Sequence, residues 1–188
     1  MQRIAIFASG NGTNAQRIIE YFQGHPNIRV TLVLSNNSTA YVLERAQKLH
    51  VPSVAFTRND LYHSNHLLDI LSVQCIDFIV LAGFLWLVPD YLLKAYPSRI
   101  INIHPALLPK YGGKGMYGMR VHEAVIRSGD PVSGISVHYV NEQYDDGQVI
   151  FQATCPVIPG DTPDTLAKKV HELEYRHYPE TIEKVMKG

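Results

Sequence analysis

Neither sign of charge dominates this sequence. Lys and Arg total 17, and Asp and Glu total 17, so the chain offers no excess of basic charge for nucleic acid or an anionic membrane. No signal-peptide pattern and no apolar run of transmembrane length is present. Cysteine is scarce: Cys75 and Cys155 both sit in apolar runs and read as small core residues, and a reducing cytoplasm is the expected setting. Metal chemistry lacks its usual marks despite nine histidines. There is no H-E-x-x-H or C-x-x-C, and His122-Glu123 and His171-Glu172 begin like zinc helices but lack the second histidine. No G-x-S-x-G elbow exists for an acyl-serine, and neither cysteine has a neighbouring base. No metal is expected.

What is present is the composition of a soluble globular protein, 46% hydrophobic and 18% charged, in a length that suits one domain over residues 1–188 with a sizeable core. The chain is organised around Ile100 to Tyr111. Alternation puts Ile101 and Ile103 on one face of a strand and Asn102 with His104 on the other. Pro105 and Pro109 interrupt the ladder, so the strand is expected to end near His104.

Before that stretch the pattern alternates between strands and helices. Arg3 to Ala8 reads as a strand covered on both faces. It runs into Ser9-Gly10-Asn11-Gly12-Thr13-Asn14, after which Ala15, Ile18, Ile19 and Phe22 share a helical face. Strand, glycine turn and helix N-terminus form a geometry that offers backbone N–H groups to an anion. Thr13 and Asn14 are expected either to cap the helix or to touch that anion. The same residues match a dinucleotide fingerprint, but the next strand, Arg29 to Leu34, ends in Ser35-Asn36-Asn37 without the acidic residue that a ribose needs. A monophosphate is favoured over NAD, and a ligand-free capped turn stays open. Thr39 to His50 is helical, Ser53 to Phe56 a brief strand, and Asn59 or Asp60 caps a helix carrying Leu61, Leu67, Leu68 and Leu71. Asp77 to Ala82 is another buried strand. Phe84 to Pro89 is either an apolar wall for a flat ligand or a first helical turn packed on the core. Asp90 to Tyr96 is a short helix.

After Tyr111 the order changes. Lys110 to Met119 holds four glycines and reads as a mobile loop, a candidate lid. A helix from about Val121 to Ser128 stops at Gly129. Gly134 to Val140 and Gln148 to Val157 are joined too closely for a crossover helix, so they should pair antiparallel at the sheet edge. The last helix runs from about Pro163 to Lys187, with Asp161 or Thr162 as cap. His171, Glu174 and Tyr178 form one row on it, and Glu174 is either a ligand contact or a surface carboxylate. The expected fold class is α/β, a doubly wound, mostly parallel sheet with an antiparallel C-terminal edge.

The polar residues left over are an amide, an imidazole and a loop carboxylate: Asn102, His104 and Asp145. That set suits transfer of a carbonyl-bearing group without a covalent enzyme intermediate. An amide N–H stabilises an oxyanion, on the order of 3 kcal/mol for one such donor. His104 moves a proton near neutral pH. A nearby Asp145 carboxylate should favour the charged form of the imidazole and raise its pKa.

These residues resemble the glycinamide ribonucleotide (GAR) transformylase family, folate-dependent formyltransferases of purine biosynthesis. The resemblance is close to full length. It rests on SGNGTN at 9–14, LAGF at 81–84, NIHPALLPKY at 102–111, SVHYV at 136–140, the Asp145-Asp146-Gly147 turn and EYRHYP at 174–179. The resemblance implies a Rossmann-like formyltransferase fold and 10-formyltetrahydrofolate as co-substrate. It implies Asn102, His104 and Asp145 as the catalytic three, Gly12, Thr13 and Asn14 on the phosphate of GAR, and Glu174 near its amino end. Leu85, Trp86, Leu87 and Val88, together with Val140, Asn141 and Asp145, would hold the pterin. The expected partners are these small molecules, with no nucleic acid and no membrane, and the chain is expected as a monomer or homodimer. Two features depart from the family. The loop after Tyr111 is longer than the family's short turn, with His122 the candidate to replace a phosphate contact there. Trp86 stands where a basic residue often sits near the folate tail. The alternatives are a 10-formyltetrahydrofolate hydrolase, which usually carries an N-terminal regulatory domain where this chain begins at its first strand, and a non-catalytic phosphate- or folate-binding module.

Overall fold

The apolar runs of the sequence become the strands of one seven-stranded sheet. The computed structural model describes residues 1–188. Its strands are β1 (Gln2–Phe7), β2 (Ile28–Ser35), β3 (Ser53–Ala55), β4 (Phe78–Leu81), β5 (Ile100–His104), β6 (Val132–Tyr139) and β7 (Val149–Pro156), in the spatial order β3-β2-β1-β4-β5-β6-β7. The first five are mutually parallel, β6 runs antiparallel to β5, and β7 runs antiparallel to β6. The sheet is thus doubly wound and mostly parallel with an antiparallel C-terminal edge. The helices are α1 (Thr13–Phe22), α2 (Tyr41–Lys48), α3 (Arg58–Tyr62), α4 (His66–Val73), α5 (Asp90–Ala95), α6 (Met119–Ser128) and α7 (Pro163–Lys187). No helix is long and apolar enough to cross a membrane.

Strand alternation splits the core in two. Ile4 and Ile6 of β1 and Ile101 and Ile103 of β5 pack with α1, α2, α6 and α7, through side chains such as Ile18, Val42, Val125 and Val170. Ala5 and Phe7 point the other way, onto Leu61, Leu67, Leu71 and Leu92 of α3, α4 and α5. Chain order reverses at β1, which has β2 on one side and β4 on the other. Such a switch point opens a crevice at the strands' carboxyl ends, and ligands bind there in open α/β sheets. The two loops that border it, after β1 and after β4, are tied together: Ser9 N–H donates to the Gly83 carbonyl at 3.0 Å, and Leu85 N–H donates to Ser9 Oγ at 3.0 Å.

Local chemistry departs from the sequence reading in several places. Leu61 and Leu67 lie on two helices rather than one. Thr57, not Asn59 or Asp60, caps α3, and Asp60 closes the capping box by accepting from the Thr57 N–H at 2.7 Å. Thr13 and Asn14 do not cap α1: the cap position is Gly12, at φ 76°, with no side-chain bond. A Cβ there would meet Val42 Cγ2 at 2.4 Å, so glycine lets the loop approach α2. Cys75 is exposed and Cys155 alone is buried. Cys75 follows α4 at φ 50°, where the chain turns outward before β4. Residues 84–89 form a loop that precedes α5 rather than its first turn. Thr162 caps α7, with Pro163 at the first helical position.

Candidate active site

β5 carries the centre of the site. Asn102 and His104 follow one another on one face of the strand, and the antiparallel register sets His138 opposite Asn102 and Ser136 opposite His104. Ser136 fixes the turn beyond the strand: its hydroxyl donates to the Ala106 carbonyl at 2.7 Å and accepts from Leu108 N–H at 2.9 Å. Asp145 comes from the connector between β6 and β7, at φ 54°. The connector folds back tightly because residue 147 is glycine, where a Cβ would lie 1.7 Å from the Tyr139 carbonyl oxygen.

The distances among these groups are short. Asn102 Nδ2 lies 3.4 Å from Asp145 Oδ1 and 3.1 Å from His138 Nε2. His104 Nδ1 lies 3.4 Å from Asp145 Oδ2, and its Nε2 is 2.7 Å from the Tyr111 carbonyl. Gly113 N–H donates to Asp145 Oδ2 at 3.0 Å. A carbonyl only accepts, so His104 Nε2 carries a hydrogen and Nδ1 is the nitrogen left for chemistry. Burial alone would push the Asp145 carboxyl up. His138, His104 and the Gly113 N–H more than offset it, and the group titrates below the usual carboxylate range. His104 goes the other way from the sequence expectation. It is 3% exposed, and burial pulls its pKa below the ordinary value against the upward pull of Asp145 and the Tyr111 carbonyl. Removing the ring from water outweighs the attraction of one carboxylate.

A cavity of about 640 Å³ runs over this group, within the roughly 300–1,000 Å³ usual for small-molecule sites. It gathers nearly every residue singled out from the sequence. Its lining includes Gly12, Thr13 and Asn14 with Glu174, which Asn14 touches; Leu85, Trp86, Leu87, Val88 and Val140, of which Trp86, Val88 and Val140 pack with the core under α3, α4 and α5; and Asn102, His104 and Asp145. Asn141 is the exception. Its side chain donates to Asp146, and it borders a smaller recess beside Leu93 and Tyr96; Gln143 and Tyr144 face the main cleft in its place. The glycine loop from Gly113 to Gly118 also lines the cleft.

Asn14 uses its amide on a carboxylate of the protein itself: Nδ2 donates to Glu174 Oε2 at 3.0 Å. Glu174 is buried and also receives His171 Nδ1 at 2.8 Å. Their hydrogen bond raises the His171 pKa. Beside them His122 is buried with its Nδ1 unpartnered, as is Asn14 Oδ1. Buried polar atoms without partners are uncommon in folded proteins, and these two face the same cleft, where a ligand rich in hydroxyl or amine groups would satisfy them. At the apolar wall, the Arg58 guanidinium lies 5.4 Å from the ring centroids of both Trp86 and Tyr62, so a cation stands beside the indole. Arg58 carried no marked pattern in the sequence; His171 stood only in a helical row with Glu174, and His138 only inside the SVHYV stretch, with its register opposite Asn102 the signal that could have pointed to its role.

Residues 2–182 match the family model for formyl transferases. The chain is 41% identical over 187 residues to the chloroplastic phosphoribosylglycinamide formyltransferase of Arabidopsis thaliana, covering 96% of this chain and 64% of that protein. It spans 60% of the corresponding Vigna unguiculata protein, at 38% identity, so it covers less than two thirds of these two plant relatives. Against the Bacillus subtilis phosphoribosylglycinamide formyltransferase it is 35% identical over 191 residues, covering 99% of this chain and 95% of that one. Among solved structures, the phosphoribosylglycinamide formyltransferase of Bacillus halodurans superposes with a TM-score of 0.87 at 38% identity, covering 98% and 95% of the two chains. That of Streptococcus pneumoniae TIGR4 gives 0.86 at 39%, covering 99% of each.

Proposed function

The chain belongs to the formyl transferase family, and from that premise we propose that it moves the formyl group of 10-formyltetrahydrofolate onto the amine of GAR. The observation that carries this reading is the meeting of Asn102, His104 and Asp145 within 3.4 Å contacts in a cavity that is also lined by a glycine loop and an apolar wall. A phosphate at Gly12 to Asn14 and a pterin along Leu85 to Val88 would then bring amine and formyl carbon together over Asn102. The wall suits a flat heteroaromatic ring, being apolar in its side chains and rich in backbone. Glu174, with the unpartnered His122 Nδ1 and Asn14 Oδ1 beside it, suits the polar body of a ribonucleotide.

As the amine adds to the formyl carbon, negative charge grows on the formyl oxygen. Asn102 donates an N–H to it, worth on the order of 3 kcal/mol. His104 is neutral at rest, and the adjacent Asp145 carboxylate stabilises the imidazolium as it forms. The amine's proton passes to this pair, directly or through water, and the pair returns it to the folate nitrogen as the carbon–nitrogen bond breaks. One bond forms, one breaks, and one proton moves from amine to folate. The His104–Asp145 contact of 3.4 Å is longer than a charge-assisted hydrogen bond, and such contacts tighten in the reacting complex. The chain works on soluble small molecules in the cytoplasm, as one domain.

The test is absorbance-monitored conversion of 10-formyltetrahydrofolate to tetrahydrofolate, with and without GAR. Turnover that requires GAR and yields formyl-GAR supports the transferase. Turnover without GAR would make the chain a hydrolase, and folate binding without turnover would leave a binding module.

A further inference from the structure

The imidazole of His104 is held at both nitrogens, and both holders sit in a backbone conformation that side chains resist. Tyr111, whose carbonyl meets Nε2 at 2.7 Å, has φ 57°, and Asp145, which meets Nδ1 at 3.4 Å, has φ 54°. Left-handed backbone at residues with a Cβ persists only where the surroundings over-determine it. For Asp145 the Gly113 N–H does so. For Tyr111 the device lies outside the cleft: its phenol donates to Asp130 Oδ2 at 2.7 Å and lies 2.5 Å from the Ser128 hydroxyl. Asp130 also accepts from Lys110 Nζ at 3.0 Å, so both neighbouring residues at the base of the glycine loop end on one carboxylate. The proposed chemistry uses neither the phenol nor Asp130.

We propose that Tyr111 and Asp130 are positioning residues for His104. The Asp130 carboxylate anchors the Tyr111 phenol, the anchored residue aims its carbonyl at Nε2, and Nδ1 is thereby fixed as the nitrogen that exchanges protons with Asp145 and the reactants. This rests on the reading of His104 as catalytic. A neutral imidazole has two tautomers, and the partner of one nitrogen decides which is present. The carbonyl selects the Nε2–H form; with the carbonyl loosened, Nδ1–H facing the Asp145 carboxylate becomes the better form, and the reacting nitrogen loses its lone pair. The other titratable groups near the ring are His138 on β6, Glu174 on α7 and His122 on α6, and none of them touches Nε2.

The experiment is nitrogen-15 NMR of the His104 ring in the full chain, for wild type, Tyr111→Phe and Asp130→Asn, with kcat measured across pH. The expected wild-type ring above its pKa is the Nε2–H tautomer. In both variants the Nδ1–H form should appear and kcat should fall roughly ten-fold, with KM for both substrates unchanged. The limb of the pH profile that follows His104 should move to lower pH, because the Tyr111 carbonyl favours the charged ring. An unchanged tautomer in both variants overturns the proposal, whether or not activity falls. Asp130→Asn, remote from the core, carries the test if Tyr111→Phe does not fold. The tautomer is read without turnover, so the result stands apart from the catalytic reading, which full turnover in His104→Ala would sink.

Discussion

His138 Nε2 accepts from the side-chain amide of Asn102 at 3.1 Å, while His138 Nδ1 lies 2.8 Å from the Tyr139 carbonyl and donates to it. In the neutral ring the proton on Nδ1 leaves Nε2 as an acceptor, and an acceptor there settles which way the amide faces; only the charged ring, with a hydrogen on both nitrogens, turns an N–H toward Asp145 at 3.7 Å. Nitrogen, not oxygen, is presented beside Asp145. His138 therefore gives Asn102 its role as a donor although nothing in the sequence marked it as a site residue.

Two substitutions test this. Asn102→Ala should lower kcat by about 100- to 1,000-fold, the loss typical of one oxyanion donor. His138→Ala frees the amide to rotate and should lower kcat by roughly 10- to 100-fold, with a smaller effect on KM for either substrate. His138→Gln, whose side-chain carbonyl still accepts, should recover part of the rate. Wild-type kcat in His138→Ala would show that the amide is oriented by something else.

The part of the site legible in the sequence is the part set by alternation and by turns. Asn102 and His104 share a face because a strand has a period of two, and prolines end that strand on schedule. The close coupling of β6 and β7 forced antiparallel pairing. What stayed hidden depends on packing across the fold. His138 matters because of its register opposite Asn102, which no local pattern announces. Cys75 lies in an apolar run yet is exposed, since α4 ends there and the chain turns out. The direction of the His104 shift follows from how deeply β5 is covered, and that depth outweighs the carboxylate beside it. Asn14 turned out to bind Glu174, a residue 160 positions away.

Gly12 should be the least replaceable residue of the phosphate loop. At φ 76° an alanine is strained, and its Cβ would stand 2.4 Å from Val42 Cγ2. Left-handed strain of about 1–2 kcal/mol and overpacking of about 1–3 kcal/mol act together, so Gly12→Ala should cost roughly 2–4 kcal/mol in denaturant unfolding and raise KM for GAR. Adding Val42→Ala removes only the Cγ2 contact and leaves the residue-42 Cβ at 2.5 Å and Cα at 2.9 Å, as well as the strain, so the double variant should regain little of the stability or the binding. A Gly12→Ala variant of wild-type stability would contradict the close packing of this loop on α2.

Stability should fall as pH drops from about 7 to 5. His104 and His122 are both held below their ordinary pKa, by burial first, so near pH 6 the unfolded chain, with histidines near 6.5, binds more protons than the folded one. Stability then rises with pH through that window and is lost on acidification. His171 acts in the opposite sense, since Glu174 raises it: its contribution is present below about pH 6.5 and fades as pH rises through its folded value. Asp145, held low, contributes above about pH 4 and is lost only below that. Thermal unfolding at pH 7, 6 and 5 should show the midpoint falling, and His122→Asn should flatten the slope. A midpoint that rises on acidification would reverse the assignment.

Trp86 is the only tryptophan in the chain, and it lies in the apolar wall of the cleft, with Phe56 at 6.1 Å between ring centroids and the Arg58 guanidinium at 5.4 Å. Emission from this protein above the tyrosine region therefore reports on one wall of one site. If the folate lies along Leu85 to Val88, a non-transferable folate analogue should change that emission saturably, after correction for its own absorption, while GAR alone, with its phosphate at Gly12 to Asn14, should leave it nearly unchanged. Arg58→Ala removes the cation over the indole, an interaction of about 0.5–1 kcal/mol at an exposed site, and should both shift the resting emission and weaken binding of an analogue that carries carboxylates. The same variant should bind an analogue without carboxylates as well as wild type does. Emission that responds to GAR and ignores the folate would place the two substrates the other way round in the cleft.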